Sequence, residues 1–350
     1  MKKITVNTGT KYDVIVGKGL ISACAENLEK VIGGRKICIV SDENVWNIHG
    51  EKVKEQLSHI AESVCVYTFK AGEDAKNIDN FYNLLEFLAE NDLKRSDAVV
   101  TLGGGVTGDL GGFAASVFLR GIRLVHIPTS LLAMVDSSVG GKTAINLKKG
   151  KNLAGSFYQP HLVLCDMELL STLPQENYTE GMAEVIKYAV AFDENLFETL
   201  KKGEYITEEI IARCIDLKRI VVEEDERDTG SRMLLNFGHT LGHSVEKLSN
   251  LGVSHGNGVA IGMAILTKGC QKLGICPDGT YEELKKILDV YHLPTECEYT
   301  AEQLVNGAKN DKKSGSSGIN LIIPKKIGLC TAEKMTYDKL LAIVKAGKEI

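Results

Sequence analysis

From Lys36 to His126 the chain alternates short apolar runs with amphipathic stretches of helix length, and this rhythm constrains the fold more than any other feature. The runs KICIVS (Lys36 to Ser41), SVCVYTF (Ser63 to Phe69), DAVVTL (Asp97 to Leu102) and RLVHIP (Arg123 to Pro128) are rich in β-branched residues and about one strand long. Between them, ENVWNIHGEKVKEQL and NIDNFYNLLEFLAEND space their apolar residues three and four apart, as a helix with one buried face requires. Strands that alternate with helices in this way form a parallel sheet, because each parallel connection needs a crossover that a helix supplies. The N-terminal segment MKKITVNTGTKYDVIVGKG alternates apolar and polar residues instead and reads as two short strands.

The chain has 350 residues, which at roughly 150 per domain suggests two domains. After Pro174 the character changes to long helical patterns, EEIIARCIDLKRIVVEEDER, LLNFGHTLGHSVEKL and HGNGVAIGMAILTKGCQKL, with GINLIIP as the only late strand candidate. The boundary falls between Leu170 and Glu180, giving a Rossmann-like α/β domain over 1–173 and a mainly α-helical domain over 174–350. The stretch SSVGGKTAINLKKGKNLAGSFYQP (Ser137 to Pro160) has no helical period and reads as a linker lined with polar groups.

No run approaches the eighteen or so apolar residues of a spanning helix, and the N-terminus lacks the apolar block of a signal peptide. Nine cysteines, scattered without a CxxC pair, read as reduced thiols, so a cytoplasmic location away from membranes is expected. A net charge of -5 leaves no excess positive field to hold nucleic acid, so Lys and Arg act locally if at all.

In DAVVTLGGGVTGDLGGFAAS, Gly103, Gly105 and Gly108 match the spacing GxGxxG between a strand and a helix. Such a turn lets backbone N–H groups approach a pyrophosphate at a helix N-terminus, although a plain glycine-rich turn has the same appearance. The acid that should follow about 20 residues later is missing; Arg120 and Arg123 stand there instead. Asp42, at the end of KICIVS, can take that role and would favour NAD over NADP, or it can simply cap the helix that follows. DSSVGGKT ends like a phosphate-binding P-loop but has Asp136 where glycine is required, which argues against a nucleotide triphosphatase.

Three histidines, His239, His243 and His255, fall close together, the first two one helical turn apart. Two of them with one carboxylate would make a three-ligand catalytic zinc site with an open position, and spacing alone leaves open which two. Glu184 in EGMAEVIKYAV is the attractive carboxylate, with Lys187 one turn on; the bland alternative is an ordinary pair on a helix face. No HExxH occurs, so zinc peptidase chemistry loses support.

Taken together, GGGVTGDLGGFAASVFLRGIRLVHIPTSLLAMVDSSVGGKTAIN, GKNLAGSFYQP, EGMAEVIKY and GSRMLLNFGHTLGHSVE followed by HGNGVAIGM resemble the 3-dehydroquinate synthases, the shikimate-pathway branch of the sugar phosphate cyclases. The match runs in order from about Asp42 to Lys313. The resemblance implies an active site in the cleft between the two domains, NAD and Zn2+ as cofactors with Co2+ as a possible substitute, and a homodimer. It implies metal ligands Glu184, His239 and His255, leaving His243 for proton transfer. Substrate contacts carry over to Asp136, Lys142, Asn152, Lys187, Lys218, Arg232 and Asn236, with Arg120 reaching a neighbouring subunit's site and Lys312 or Lys313 completing the set. Dinucleotide contacts carry over to Asp42, Glu73, Lys76, Gly103, Gly104, Gly105, Val106, Asp109, Thr129, Ser130, Lys151 and Thr172. Asn257 departs from the glutamate common at that position, which puts the surroundings of His255 in question.

The implied reaction converts 3-deoxy-D-arabino-heptulosonate 7-phosphate to 3-dehydroquinate: transient oxidation, phosphate elimination, reduction, ring opening and aldol closure. Another sugar phosphate cyclase shares the early chemistry. A metal-dependent polyol dehydrogenase of the glycerol dehydrogenase type shares the two-domain plan but needs no phosphate cluster. A non-catalytic NAD-binding regulator would need no intact metal set.

Overall fold

The four apolar runs lie together in one seven-stranded sheet. The computed structural model describes residues 1–203, 205–250, 252–311 and 318–349. The chain divides into two compact units, the first made of Met1–Pro174 and Thr207–Arg227. Its strands are β1 (Lys2–Asn7), β2 (Lys11–Gly17), β3 (Lys36–Asp42), β4 (Ser63–Phe69), β5 (Ala98–Gly103), β6 (Arg123–Pro128), β7 (Lys142–Leu147), β8 (Gly150–Phe157) and β9 (Leu162–Asp166). The sheet order is β1-β2-β9-β6-β5-β3-β4. Only the β1–β2 pair is antiparallel; the other neighbours are parallel. Every residue of β5 and of β9 is buried, as expected of strands covered on both faces.

Two expectations for this unit change. The 137–160 stretch is no linker, because β7 and β8 pair as an antiparallel hairpin from Lys142↔Phe157 to Leu147↔Gly150. The helix Glu208–Glu224 belongs with the first unit, where an uninterrupted second domain over 174–350 was expected. Its end is tied to β1 through the Asn7 backbone N–H, which donates to Glu223 Oε1 at 2.6 Å. Strand β9, between β2 and β6, was not anticipated: four apolar residues in a row, closed by Asp166, show no alternation and carry little signal.

Register sets the working edge. Ser41 pairs with Leu102 and Gly103 with Pro128, so the C-terminal ends of β3, β5 and β6 lie side by side. In open α/β sheets this is the edge that binds ligands. Below it, His126 is 5% exposed and its Nδ1 lies 2.6 Å from Thr101 Oγ1. Burial lowers its pKa to about 4.

The second unit comprises Gln175–Ile206 and Asp228–Ile350. Its long helices are Gln175–Phe192 and His255–Lys272, both buried along most of their length. The helix His239–Leu248 crosses His255–Lys272 with the backbones in contact: a Cβ on Gly242 would lie 2.9 Å from the Gly258 carbonyl carbon. β10 (Ile319–Lys326) and β11 (Leu329–Met335) form an antiparallel hairpin, so the single late strand expected is in fact two. No described helix is long and apolar enough to cross a membrane.

The unfolded chain takes up a proton at histidine near pH 6.5, which native His126 refuses until about pH 4. Stability from this group is therefore complete above pH 6.5 and drains away as pH falls between the two values. It should account for about 2 kcal/mol of the loss between pH 7 and pH 5. Urea unfolding of His126→Gln at both pH values should show that much less loss than the wild type; equal losses would refute the assignment.

Candidate active site

In the first unit the glycine loop sits where β5 ends. Gly103 closes the strand, Gly104 precedes the helix Gly105–Val117, and Val106 lies in its first turn. A Cβ on Gly103 would fall 2.3 Å from Thr107 Oγ1, so the turn admits no side chain there. Thr107 Oγ1 in turn faces Asp42 Oδ2 at 3.5 Å, while Asp42 Oδ1 accepts from the Val45 backbone N–H at 3.1 Å. Asp42 thus does cap the short helix after β3, with its second oxygen turned toward the glycine loop. Thr129 follows β6 and its N–H donates to the Gly103 carbonyl at 3.0 Å; Ser130 Oγ accepts from Ala133 N–H.

Beside the loop helix lies a charge network. The nearly buried Lys76 Nζ donates to Asp109 Oδ2 at 2.9 Å and lies 3.4 Å from Glu73 Oε1. Burial alone would lower the Lys76 pKa, but Asp109 and Glu73 outweigh it and raise it. Burial raises the Asp109 pKa, with Lys76 opposing. Asn146, absent from the sequence expectations, links two expected residues: its Nδ2 donates to Glu73 Oε1 at 2.7 Å and its Oδ1 accepts from Asn152 N–H at 2.9 Å. Lys142 and Lys151 are exposed on the β7–β8 hairpin. Thr172 Oγ1 meets His49 Nε2 at 2.8 Å. Lys218 Nζ donates to the Asp136 carbonyl at 2.6 Å and to its carboxylate.

Two expected residues carry unusual backbone. Arg120 has φ 68 and follows Leu119 at φ 49, consecutive non-glycine residues in the left-handed region; Asn152 has φ 56. Asparagine tolerates that conformation, whereas leucine and arginine do so at a cost. The turn is held by Arg95, whose Nε and Nη2 both donate to the Leu119 carbonyl.

In the second unit three helices bring Glu184, His239 and His255 together. Glu184 Oε1 lies 3.5 Å from His239 Nε2 and 3.4 Å from His255 Nε2, and the rings are 5.2 Å apart between centroids. The carboxylate is 1% exposed, as is Lys187, whose Nζ pairs with Oε2. This is no solvated pair on a helix face. Among the described residues Glu184 Oε1 accepts no well-formed hydrogen bond. Those separations are long for hydrogen bonds but match the spacing of about 3.3 Å between neighbouring ligands of a tetrahedral cation with bonds near 2.0–2.1 Å. The donor set therefore fits a zinc-like ion.

A second candidate group shares His255 with His243 and Glu246. Glu246 was not anticipated, yet its Oε1 lies 2.9 Å from His255 Nδ1, so the ring's second nitrogen meets Glu246 and not Asn257. Its one sequence signal is a place three residues after His243 on the same helix. Burial opposes charging His255, but Glu184 and Glu246 outweigh it and raise its pKa to about 10. Burial and then the Lys187 charge hold His239 well below the ordinary histidine range. Arg232 is buried in the 3-10 helix Ser231–Asn236, which Asn236 ends. Lys312 and Lys313 lie outside the described residues.

A family model described as 3-dehydroquinate synthase N-terminal matches residues 66–180, and one described as 3-dehydroquinate synthase C-terminal matches residues 181–314. A 3-dehydroquinate synthase of Clostridium botulinum is 45% identical over 337 residues, 94% of this chain and 96% of its own length. Among solved structures, 2-deoxy-scyllo-inosose synthase complexed with carbaglucose-6-phosphate, NAD+ and Co2+ has a TM-score of 0.88 at 24% identity, covering 99% of both chains. The 2-epi-5-epi-valiolone synthase of Streptomyces hygroscopicus subsp. jinggangensis with NAD+ and Zn2+ bound has a TM-score of 0.88 at 24% identity, covering 98% of both. At that identity these two structures speak for the fold alone.

A carboxylate this buried needs its cation. In metal-free protein at pH 7, Lys187→Met should cost on the order of 3 kcal/mol of stability, and adding Glu184→Gln should recover most of it. Urea unfolding of the two variants checks this; a double variant as unstable as the single one would rule the pairing out.

Proposed function

The chain belongs to the 3-dehydroquinate synthase family, and from that premise we propose how its own residues divide the conversion of 3-deoxy-D-arabino-heptulosonate 7-phosphate to 3-dehydroquinate and phosphate. The observation that carries the reading is the convergence of His239 Nε2 and His255 Nε2 on Glu184 Oε1, at 3.5 and 3.4 Å. These three would hold a divalent cation, zinc with cobalt as a substitute. When bound, the cation acts as a Lewis acid on a secondary hydroxyl, and NAD supplies a reversible hydride acceptor.

Gly103, Gly104, Gly105 and Val106 present backbone N–H groups to the NAD pyrophosphate at the N-terminus of the Gly105–Val117 helix. Asp42 accepts from the ribose hydroxyls with the oxygen that the helix cap leaves toward the loop, and its charge disfavours the 2′-phosphate of NADP. Glu73, Lys76, Asp109, Thr129, Ser130, Lys151 and Thr172 complete the nucleotide contacts. The Lys76 ammonium, held between Asp109 and Glu73, keeps this network in shape before ligand arrives.

Lys142 and Asn152 take the substrate phosphate, and Asp136, Lys187, Lys218, Arg232 and Asn236 orient its hydroxyl and carboxylate groups. Fixing a flexible polyol in this way lowers the barrier by orientation. His243, one turn from His239, moves protons at the reacting carbon. The strained, exposed Arg120 reaches a neighbouring subunit's phosphate site, which makes the working form a homodimer. Nine cysteines, none of them in a disulfide among the described residues, suit the reducing cytoplasm.

Supplied with the heptulosonate phosphate, the protein should release phosphate with no net NADH absorbance, and Glu184→Gln or His239→Ala should abolish release while leaving NAD binding largely intact. Accumulating NADH would point to a polyol dehydrogenase instead. Mixing inactive Arg120→Ala with inactive Glu184→Gln tests the shared site. Half of the dimers are then mixed, each with one complete site, so about a quarter of wild-type activity should return; no recovery would place Arg120 in its own subunit's site.

A further inference from the structure

His255 has two ring nitrogens, and they meet different carboxylates. Nε2 stands 3.4 Å from Glu184 Oε1, whereas Nδ1 lies 2.9 Å from Glu246 Oε1. Glu246 is 4% exposed on the His239–Leu248 helix, packed so closely on the next helix that a Cβ at Gly258 would come within 3.3 Å of its Cγ. His239 is arranged in the same way by a different acceptor, with Nδ1 3.2 Å from the Phe237 carbonyl oxygen. A carbonyl oxygen only accepts, so His239 carries a proton on Nδ1 and turns Nε2 toward Glu184. Glu246, an acceptor at the equivalent nitrogen, selects the same tautomer in His255.

We infer that Glu246 is a positioning residue: it accepts from His255 Nδ1–H, fixes the ring's orientation, and so presents Nε2 as a ligand beside Glu184 and His239. The inference rests on the metal reading above and extends it. A rival use of the same side chains, with His243, Glu246 and His255 themselves gripping the cation, predicts a different mutational pattern.

The test is zinc affinity of metal-free protein, read by competition with a chromophoric chelator, together with the visible spectrum of the cobalt(II) form. Orienting partners of this kind are worth 10- to 100-fold in metal affinity, so E246A should bind zinc weaker by about that factor and shift the cobalt bands. E246Q, whose amide oxygen still accepts from Nδ1–H, should stay within about fivefold of wild type, and H243A within about threefold. E246N stops one methylene short of Nδ1 and should match E246A, which keeps the test alive if the alanine variant fails to fold. Wild-type affinity in E246A or E246N would overturn the inference. So would H243A and E246Q both as weak as E246A, because that pattern puts Glu246 in the coordination sphere. E184Q in the same titration separates the two levels: wild-type zinc binding there sinks the metal site itself, whatever Glu246 does.

Discussion

A carboxylate placed almost completely out of water dictates the arrangement of the second unit. Glu184 sits mid-helix on Gln175–Phe192, where ionisation without compensation would be costly. Lys187 supplies one compensating charge from the next turn, but the other side of the carboxylate must be answered by groups that arrive from elsewhere. His239 and His255 arrive on two helices whose crossing is close enough for main chain to touch main chain at Gly242 and Gly258. A larger residue at that crossing would part the helices by more than the tolerance of a coordination bond. Helix packing and ligand geometry are therefore one constraint.

The first unit solves the opposite problem. Its acids already have cations: Asp109 and Glu73 share Lys76, and Asp136 holds Lys218. These networks need no metal to be satisfied, which leaves the unit free to present a preformed surface at the C-terminal ends of β3, β5 and β6. Lys218 comes from a helix that leaves the second unit's stretch of sequence and returns to pack on the first. The excursion places a basic side chain over Asp136 that no residue nearby in sequence provides.

Two expected contact residues, Arg120 and Asn152, stand in left-handed backbone. Leu119 and Arg120 hold left-handed backbone that neither side chain prefers, kept in place by the Arg95 guanidinium. Asn152 holds the same conformation at less cost, with its N–H fixed by Asn146. Both positions put a side chain outward from a turn that relaxation would otherwise redirect.

Local pattern was enough for the elements whose signal is local. The β-branched runs at β3 to β6 and the three-and-four spacing of the long helices read directly, because burial on one face imposes a period on the residues themselves. The glycine loop and the histidine cluster were readable as motifs for the same reason: turn geometry and one helical turn are short-range. What lay beyond local pattern was decided by contacts between segments far apart in sequence. The β7–β8 hairpin looked like a linker because glycines and lysines obscure its alternation, and β9 has too few residues to show a period. Spacing left open which histidines face Glu184, and it gave no hint that Glu246 meets the far nitrogen of His255. Those outcomes depend on how helices cross, and a crossing is set by the sum of side-chain shapes on both partners, which no single stretch of sequence contains.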